Sequence, residues 1–411
     1  VSRARADARR ADRLVQLAWI AIGVYAVALG IAAVLRAQGD FNVYYRAGAR
    51  VLSGEAIYRL DESSHFLYAP IIAIAFAPFA ALPLQAAQFA FFLISGISLI
   101  ALIPGAARML FGRAHRLTPL LIVLPVIVCA RFIDNNIEHG QINLPTVALT
   151  IWAIVLAEED RAIAAGAMLA LAILIKPFAG LAALFLLLEG KWRPMVFSIG
   201  FGLLLMLAPI LVFGPRGALA QTLAYLQVVG SMTDRYTTML TNQSATSAVA
   251  RLMSIGASAG APASHAALYI GTAIELALVA AVVIWFFRAS DPQPQGGLLA
   301  HRFPLAGLFC IMPSLVPISW KSYYVALLVP YFLLIFVLWV KRPPGSPTPT
   351  LALALVAVSV ILNWIPGTRP NHYALFFSAH FLSSILLLAA IATAALWWQG
   401  SSNADLDHRV R

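Results

Sequence analysis

The chain has 411 residues, is 61% hydrophobic with a mean hydropathy of +0.85, and carries a net charge of +11. Soluble domains run near half apolar, so this composition excludes an ordinary water-soluble protein. In a membrane protein such a positive excess records topology, and no nucleic-acid partner is expected.

Repeated apolar runs of about 17–25 residues fill the chain, which reads as an all-α polytopic membrane protein. Residues 3–13 hold five arginines ahead of an apolar run at 14–35. That run is too long for a signal-peptide core, so it reads as an uncleaved first helix with a cytoplasmic start. Further runs lie near 67–83, 84–107, 117–133, 142–157, 162–175, 177–188, 194–213, 266–287, 303–318, 322–340, 349–365 and 374–397.

If all thirteen crossed, the loop Arg108–Arg116, with three arginines, would face outside. That opposes the positive-inside rule. Residues 67–83, "LYAPIIAIAFAPFAALP", hold three prolines and suit an interfacial or re-entrant helix. Twelve spans then remain, with both ends cytoplasmic, and 17 of the 28 Lys and Arg fall on the cytoplasmic side. The whole chain, 1–411, reads as one integral membrane domain. Its first outside loop is 36–83, with interfacial helices, and its long outside loop is 214–265. These outside segments are rich in Tyr, Asn, Gln and His, and long loops carry function. Cys129 and Cys310 lie in apolar runs, so no disulfide or metal framework is implied.

The stretch "GDFNVYYRAGARVLSGEAIY" (39–58) follows the first span directly. Asp40 there suits a general base that takes a proton from a hydroxyl, or the N-cap of a short helix over 41–52. "RFIDNNIEHGQIN" (131–143) places Arg131, Glu138, His139, Gln141 and Asn143 between two spans, as the lining of a watery cavity or as a solvated, capped loop. Its spacing matches no metal motif. Lys176, in "LAILIKPFAG", either snorkels or meets an anion. "TNQSATSAVARL" (241–252) reads as a short amphipathic helix capped by Asn242 or Ser244, with Gln243 between them. "LVPISWKSYYVALLVPY" (315–331) brings Trp320, Lys321, Tyr323 and Tyr324 to a span end, as an aromatic belt or as a phosphate clamp.

These stretches, in this order, resemble the polyprenol-phosphate-mannose-dependent mannosyltransferases related to the mycobacterial phosphatidylinositol-mannoside enzyme, which have the GT-C fold. The resemblance spans roughly residues 15–340. It implies an essential acid in the first outside loop, here Asp40, and interfacial helices after it. It implies a lipid-phosphate sugar donor and inversion at the sugar. The histidines expected after the late "SW" are replaced by Lys321-Ser322-Tyr323-Tyr324, so no acid–histidine pair carries over.

The expected function is therefore membrane transfer of a sugar, mannose by the resemblance, from a polyprenyl phosphate to a lipid or glycan acceptor. The site faces the periplasm of a bacterial inner membrane. Asp40 is the expected base. Lys321, then Arg131 or Lys176, are the expected phosphate cations. Tyr44, Tyr45, Tyr68, Glu138, His139, Gln141, Asn143, Asn242, Gln243, Trp320 and Tyr324 are the expected substrate contacts. No cofactor is expected, and no Gly-rich nucleotide loop is present. The competing readings are a lipid-linked-sugar flippase or transporter and a glycan polymerase or ligase. Only Glu275 is clearly acidic within a span, and no halves match, which disfavours the transporter.

Overall fold

The computed structural model describes residues 2–35, 39–113, 115–255, 263–289, 298–341, 348–365 and 368–410. All of its regular structure there is helical. The chain opens with α1 (Ser2–Val34), α2 (Gly39–Ser53), α3 (Pro70–Ala80) and α4 (Leu84–Phe111). Next come α5 (Pro119–Glu138), α6 (Asn143–Glu158), α7 (Ala162–Ile175), α8 (Gly180–Leu188), α9 (Trp192–Leu207) and α10 (Pro209–Tyr236). It ends with α11 (Ala245–Met253), α12 (His265–Ala289), α13 (Leu298–Ile311), α14 (Leu328–Ile335), α15 (Thr350–Asn363), α16 (Thr368–Phe376) and α17 (Ala379–Val410).

Six described helical segments are long and apolar enough to cross a membrane, or eight if two bent pairs each count as one span. Exposed side chains on α1 show why a bilayer is needed. Leu17, Ile20, Val24, Val27 and Ile31 recur every three or four residues and are all more than half exposed. An apolar stripe of that spacing on an outer helix face is covered by lipid.

The expected spans at 142–157, 162–175 and 177–188 are shorter helices of 16, 14 and 9 residues. At 1.5 Å per residue the longest of them reaches only about 24 Å, short of a hydrocarbon core of about 30 Å. The run at 67–83 folds as α3, with Pro70 starting it and 11 residues in all. That is about 16 Å, too short to cross. The run at 194–213 does not end at 213. α9 and α10 meet at a 71° bend, α10 breaks locally at Gly214, and the chain stays helical to Tyr236.

The chain divides into two compact units. One comprises residues 19–105 and 133–234. In it α7 packs on α6 and α9, and α2 packs on α3. The α2–α3 and α7–α9 contacts depend on glycine. A Cβ at Gly48 of α2 would lie 2.5 Å from the Phe76 carbonyl oxygen of α3. A Cβ at Gly166 of α7 would lie 2.8 Å from the Pro194 oxygen of α9. Such small-residue contacts let helix backbones approach where water supplies no driving force.

The other unit comprises residues 1–18, 106–132 and 235–411. Its centre is the helical run 321–340, which starts as a tight 3-10 turn, becomes α14, and widens to a π-turn at 336–340. α15 and α17 pack beside one another. The Tyr331 hydroxyl pairs with Ser359 Oγ at 2.7 Å, and Ser359 Oγ with Ser383 Oγ at 2.8 Å. Polar links of this kind join helices inside a membrane.

Candidate active site

The first unit gathers most of the chemistry around Asp40. α2 begins at Gly39, so Asp40 sits within the first turn and does not cap a helix that starts at 41. An acid there is favoured by the helix dipole. The Phe41 N–H, one of the first-turn donors a helix leaves unpaired, donates to the His139 carbonyl at 3.2 Å. Phe41, Tyr44, Ala47 and Gly48 form the buried face of α2. Phe41 and Tyr44 both pack on Phe76 and Phe91.

The loop that meets Asp40 is built by a glycine. α5 ends at Glu138, and Gly140 takes a φ of 64°. The Gln141 N–H bonds to the Asn136 carbonyl at 2.7 Å, and the Gly140 N–H to the Ile137 carbonyl at 3.2 Å. This is the paired pattern that closes a helix with a left-handed residue. It brings the Gln141 side chain to Asp40, where Nε2 donates to Oδ2. Asn143 Nδ2 donates to Gln141 Oε1 at 3.3 Å and to Asn136 Oδ1 at 3.2 Å. With its oxygen already accepting, Gln141 must turn its N–H group to the carboxylate. His139 is exposed, with Nδ1 3.1 Å from the Asn135 carbonyl.

A second break positions the lysine. Pro177 cannot continue α7, and the residue before a proline is driven to extended backbone. Lys176 accordingly has φ −143° and ψ 114°, and its side chain turns into the unit. Lys176 is 8% exposed, and Nζ lies 4.6 Å from the centre of the Tyr68 ring. The Tyr68 and Tyr44 hydroxyls are 2.9 Å apart, and both rings are buried.

The carboxylate and the ammonium are electrostatically linked. Burial raises the Asp40 pKa above its usual value, and the Gln141 hydrogen bond, His139 and Lys176 oppose that rise. Burial lowers Lys176 to about 7, against the pull of Asp40. An anion beside Lys176 would restore its charge.

An apolar groove of about 370 Å³ adjoins this cluster, lined by α3, α4, α6 and α7. Ile142 and Ile175, next in sequence to Gln141 and Lys176, line it, as do Phe76 and Phe91. Among its lining side chains only Ser98 and Trp152 carry nitrogen or oxygen, and both have donor bonds within the protein. Ser98 Oγ donates to the Ile94 carbonyl at 2.7 Å, and Trp152 Nε1 to the Ala101 carbonyl at 3.1 Å.

Of the other expected residues, Tyr45 belongs to this unit, and its hydroxyl donates to the Leu82 carbonyl at 2.8 Å. Glu138 is half-buried at the end of α5. The remaining six lie in the second unit. There Arg131 donates to the Asn363 and Ile365 carbonyls and to Asn371 Oδ1 at 2.8, 3.2 and 2.7 Å. Asn242 and Gln243 are fully buried. Asn242 Nδ2 donates to the Pro317 carbonyl at 2.8 Å, and its Oδ1 accepts from the Ser244 and Ser319 N–H groups. Gln243 Nε2 donates to the Leu240 and Leu375 carbonyls. Ser244, not Asn242, caps α11 by accepting from the Ser247 N–H. The Tyr324 hydroxyl donates to the Gln243 carbonyl at 2.6 Å. Lys321 and Trp320 are half-buried, and Trp320 packs on Tyr236. Arg251 binds the Met239, Asn242 and Phe376 carbonyls, so this region is a buried scaffold.

Three features were missed from sequence. Trp152 reads as one more residue of an apolar helix. Asp134 accepts from the Tyr25 hydroxyl of α1, a pairing that no local spacing announces. His380 is buried beside Asn363, Nδ1 to Oδ1 at 3.2 Å, and lies in a run read only as a span.

The described residues thus form a many-helix protein with membrane-length apolar helices, a half-buried carboxylate, a buried lysine and an adjoining apolar groove. The pattern of glycosyltransferase family 87 matches residues 66–313, more than half of the chain, and the chain belongs to that family. It is a membrane glycosyltransferase. It is similar to the polyprenol-phosphate-mannose-dependent alpha-(1-2)-phosphatidylinositol mannoside mannosyltransferase of Mycobacterium tuberculosis. The two are 26% identical over 386 residues, which cover 88% of this chain and 79% of that protein. No solved structure matches.

Proposed function

We propose that this enzyme moves mannose from a polyprenyl-phosphate donor to a lipid or glycan acceptor, with inversion, on the periplasmic face of a bacterial inner membrane. The observation that carries this reading is the Asp40 carboxylate, held by Gln141 beside buried Lys176 at the head of an apolar groove. Asp40 lies ahead of the matched span 66–313, so its role rests on this geometry and on its place just after the first span.

In the proposed reaction Asp40 takes the proton of the acceptor hydroxyl. That oxygen attacks the anomeric carbon from the side opposite the phosphate. The carbon–oxygen bond to the lipid phosphate breaks, and the phosphate leaves with the bonding pair. A cation stabilises the charge it gains. Lys176 is the cation that this unit supplies next to Asp40, and Lys321 is a second candidate by its span-end position. The polyprenyl tail lies in the apolar groove, whose walls offer it only hydrocarbon.

The proposed topology is a GT-C-type arrangement with about twelve crossings or half-crossings and both termini cytoplasmic. The arginines at 9, 10 and 13 ahead of the apolar run 14–35, and at 108, in the last turn of α4, and 113 and 116 beyond it, support that orientation.

The test supplies purified enzyme with polyprenyl-phosphate-mannose and a total lipid and glycan extract of the host. The expected result is a mannosylated product whose anomeric configuration is opposite to the donor's. Movement of the donor across vesicle bilayers without transfer marks a flippase, and release of mannose chains marks a polymerase. Either outcome defeats the proposal.

A further inference from the structure

The groove has a measurable end. Counted from the polar cluster, its lining on α4 runs from Phe91 to Ala101, and on α6 from Ile142 to Trp152. Each run takes ten steps along the helix, or about 15 Å. On α7 the lining runs from Ile175 to Met168. Ala101, Trp152 and Met168 are therefore the last side chains of the three walls.

Trp152 is fixed in that place. Its indole N–H is tied to the Ala101 carbonyl at 3.1 Å, so the ring is fastened to the facing helix. Gly105, one turn further along α4, makes room for it: a Cβ there would lie 3.0 Å from Trp152 Nε1. Trp152 is thus held between α4 and α6 by a hydrogen bond on one side and a missing side chain on the other. A large, fastened ring at the end of an otherwise smooth apolar groove sets a length.

We propose that Trp152 is the end stop of this groove and makes the enzyme a reader of the first few isoprene units next to the phosphate. This rests on the reading that a lipid phosphate sits with its head at Lys176 and its tail along α4 and α6. The occupant follows from the two ends of the site. A cation at the mouth takes an anionic head, and walls with no open donor take hydrocarbon. Carbons beyond Trp152 leave the protein, so the enzyme gains nothing from recognising them.

Binding of geranyl, farnesyl, geranylgeranyl and decaprenyl monophosphates, none carrying sugar, tests this by calorimetry in detergent. Wild-type affinity is expected to rise from geranyl to farnesyl and then to level off. Trp152→Ala opens the end, so affinity should keep rising at geranylgeranyl, by roughly tenfold for the added buried carbons. Trp152→Phe keeps a ring there and should retain the wild-type plateau. Identical length profiles for wild type and Trp152→Ala overturn the proposal, as does a wild-type profile without a plateau.

A second measurement needs no variant. Farnesyl phosphate with a photoreactive group at its far end should label Ala101, Trp152 or Met168 in the wild-type enzyme. Labelling confined to other helices overturns the proposal. Neither readout requires sugar transfer. A plateau set by Trp152 without mannosyl transfer keeps the end stop and defeats the proposed donor sugar. Transfer without any plateau does the reverse.

Discussion

Gln141 Nε2 donates to Asp40 Oδ2 while Gln141 Oε1 accepts from Asn143 Nδ2. The second bond fixes the first, because an amide whose oxygen is occupied presents its N–H group to the other neighbour. A carboxylate that accepts such a bond is favoured in its ionised form, which is the form a base needs. In the proposed reaction the other oxygen, Oδ1, is the one that meets the acceptor hydroxyl.

Asp40→Asn removes the proton acceptor while keeping size and polarity. Turnover should fall about 10²–10⁴-fold, the usual worth of a general base. Asp40→Glu keeps the carboxylate but moves it on the order of 1 Å, which can cost about 10²-fold. Both proteins should reach the membrane in normal yield, since Asp40 is not part of the buried face of α2 formed by Phe41, Tyr44, Ala47 and Gly48. Near-normal turnover by folded Asp40→Asn removes Asp40 from the mechanism.

Gln141→Leu deletes the donor and leaves the rest of the loop intact. Without that bond Asp40 is harder to ionise, so its already raised pKa rises further. The acid limb of kcat/KM should move to higher pH, with a smaller loss at the optimum than for Asp40→Asn. An acid limb that stays in place shows that Gln141 does not hold the reacting carboxylate.

The sequence shows where this site begins but not how it closes. Asp40 was legible as a base or an N-cap by its place after the first span, and the resemblance favoured the base. Gln141 was legible as part of a polar cluster. Its turn toward Asp40 was not, because it depends on Gly140 and on a partner about a hundred positions away. Lys176 stood out as a charge in an apolar stretch, yet its link to Asp40 appears only when α2 and the α7–α8 break share a unit. Asn242, Gln243 and Tyr324 looked like substrate contacts because polar residues near span ends often are. In the structure they bind backbone carbonyls and N–H groups, a use that residue type alone does not reveal. Helix boundaries differed most where hydropathy continues through a break, as at the α9–α10 bend, whereas the break at Lys176 falls where the runs 162–175 and 177–188 place it.

Two glycines carry the geometry, and each yields a stability test. Gly48→Ala puts a Cβ against the Phe76 carbonyl and must push α2 off α3, a cost of about 1–3 kcal/mol. Gly140→Ala forces a side chain onto a residue with φ 64°, at about 1–2 kcal/mol. Thermal unfolding in detergent should fall for both. Gly23→Ala, where nothing lies within 4 Å of the new Cβ, is the matched control and should be close to neutral. If Gly48→Ala melts like Gly23→Ala, α2 and α3 do not pack as described.

The last prediction separates the candidate cations by their pH dependence. Before donor binds, Lys176 is lowered to about 7, so it is charged below that pH and progressively neutral above it. Binding an anionic phosphate favours the charged form, so the lysine holds its proton to higher pH once the donor is bound. Donor affinity is therefore expected to be flat below about pH 7 and to weaken above it, by up to tenfold per pH unit, until the bound lysine also titrates. On the acid side Asp40 must be ionised, so activity should fall as pH drops through its raised value. The product is a bell-shaped kcat/KM profile with a basic limb near neutrality. Lys176→Met should weaken donor binding strongly and abolish that limb. Lys176→Arg keeps the charge, and a guanidinium does not titrate in this range, so it should retain part of the affinity and move the limb out of reach. Lys321→Ala is the comparison. If it raises donor KM strongly while Lys176→Met leaves both KM and the basic limb unchanged, the phosphate charge is met by Lys321 and the buried lysine beside Asp40 has another task.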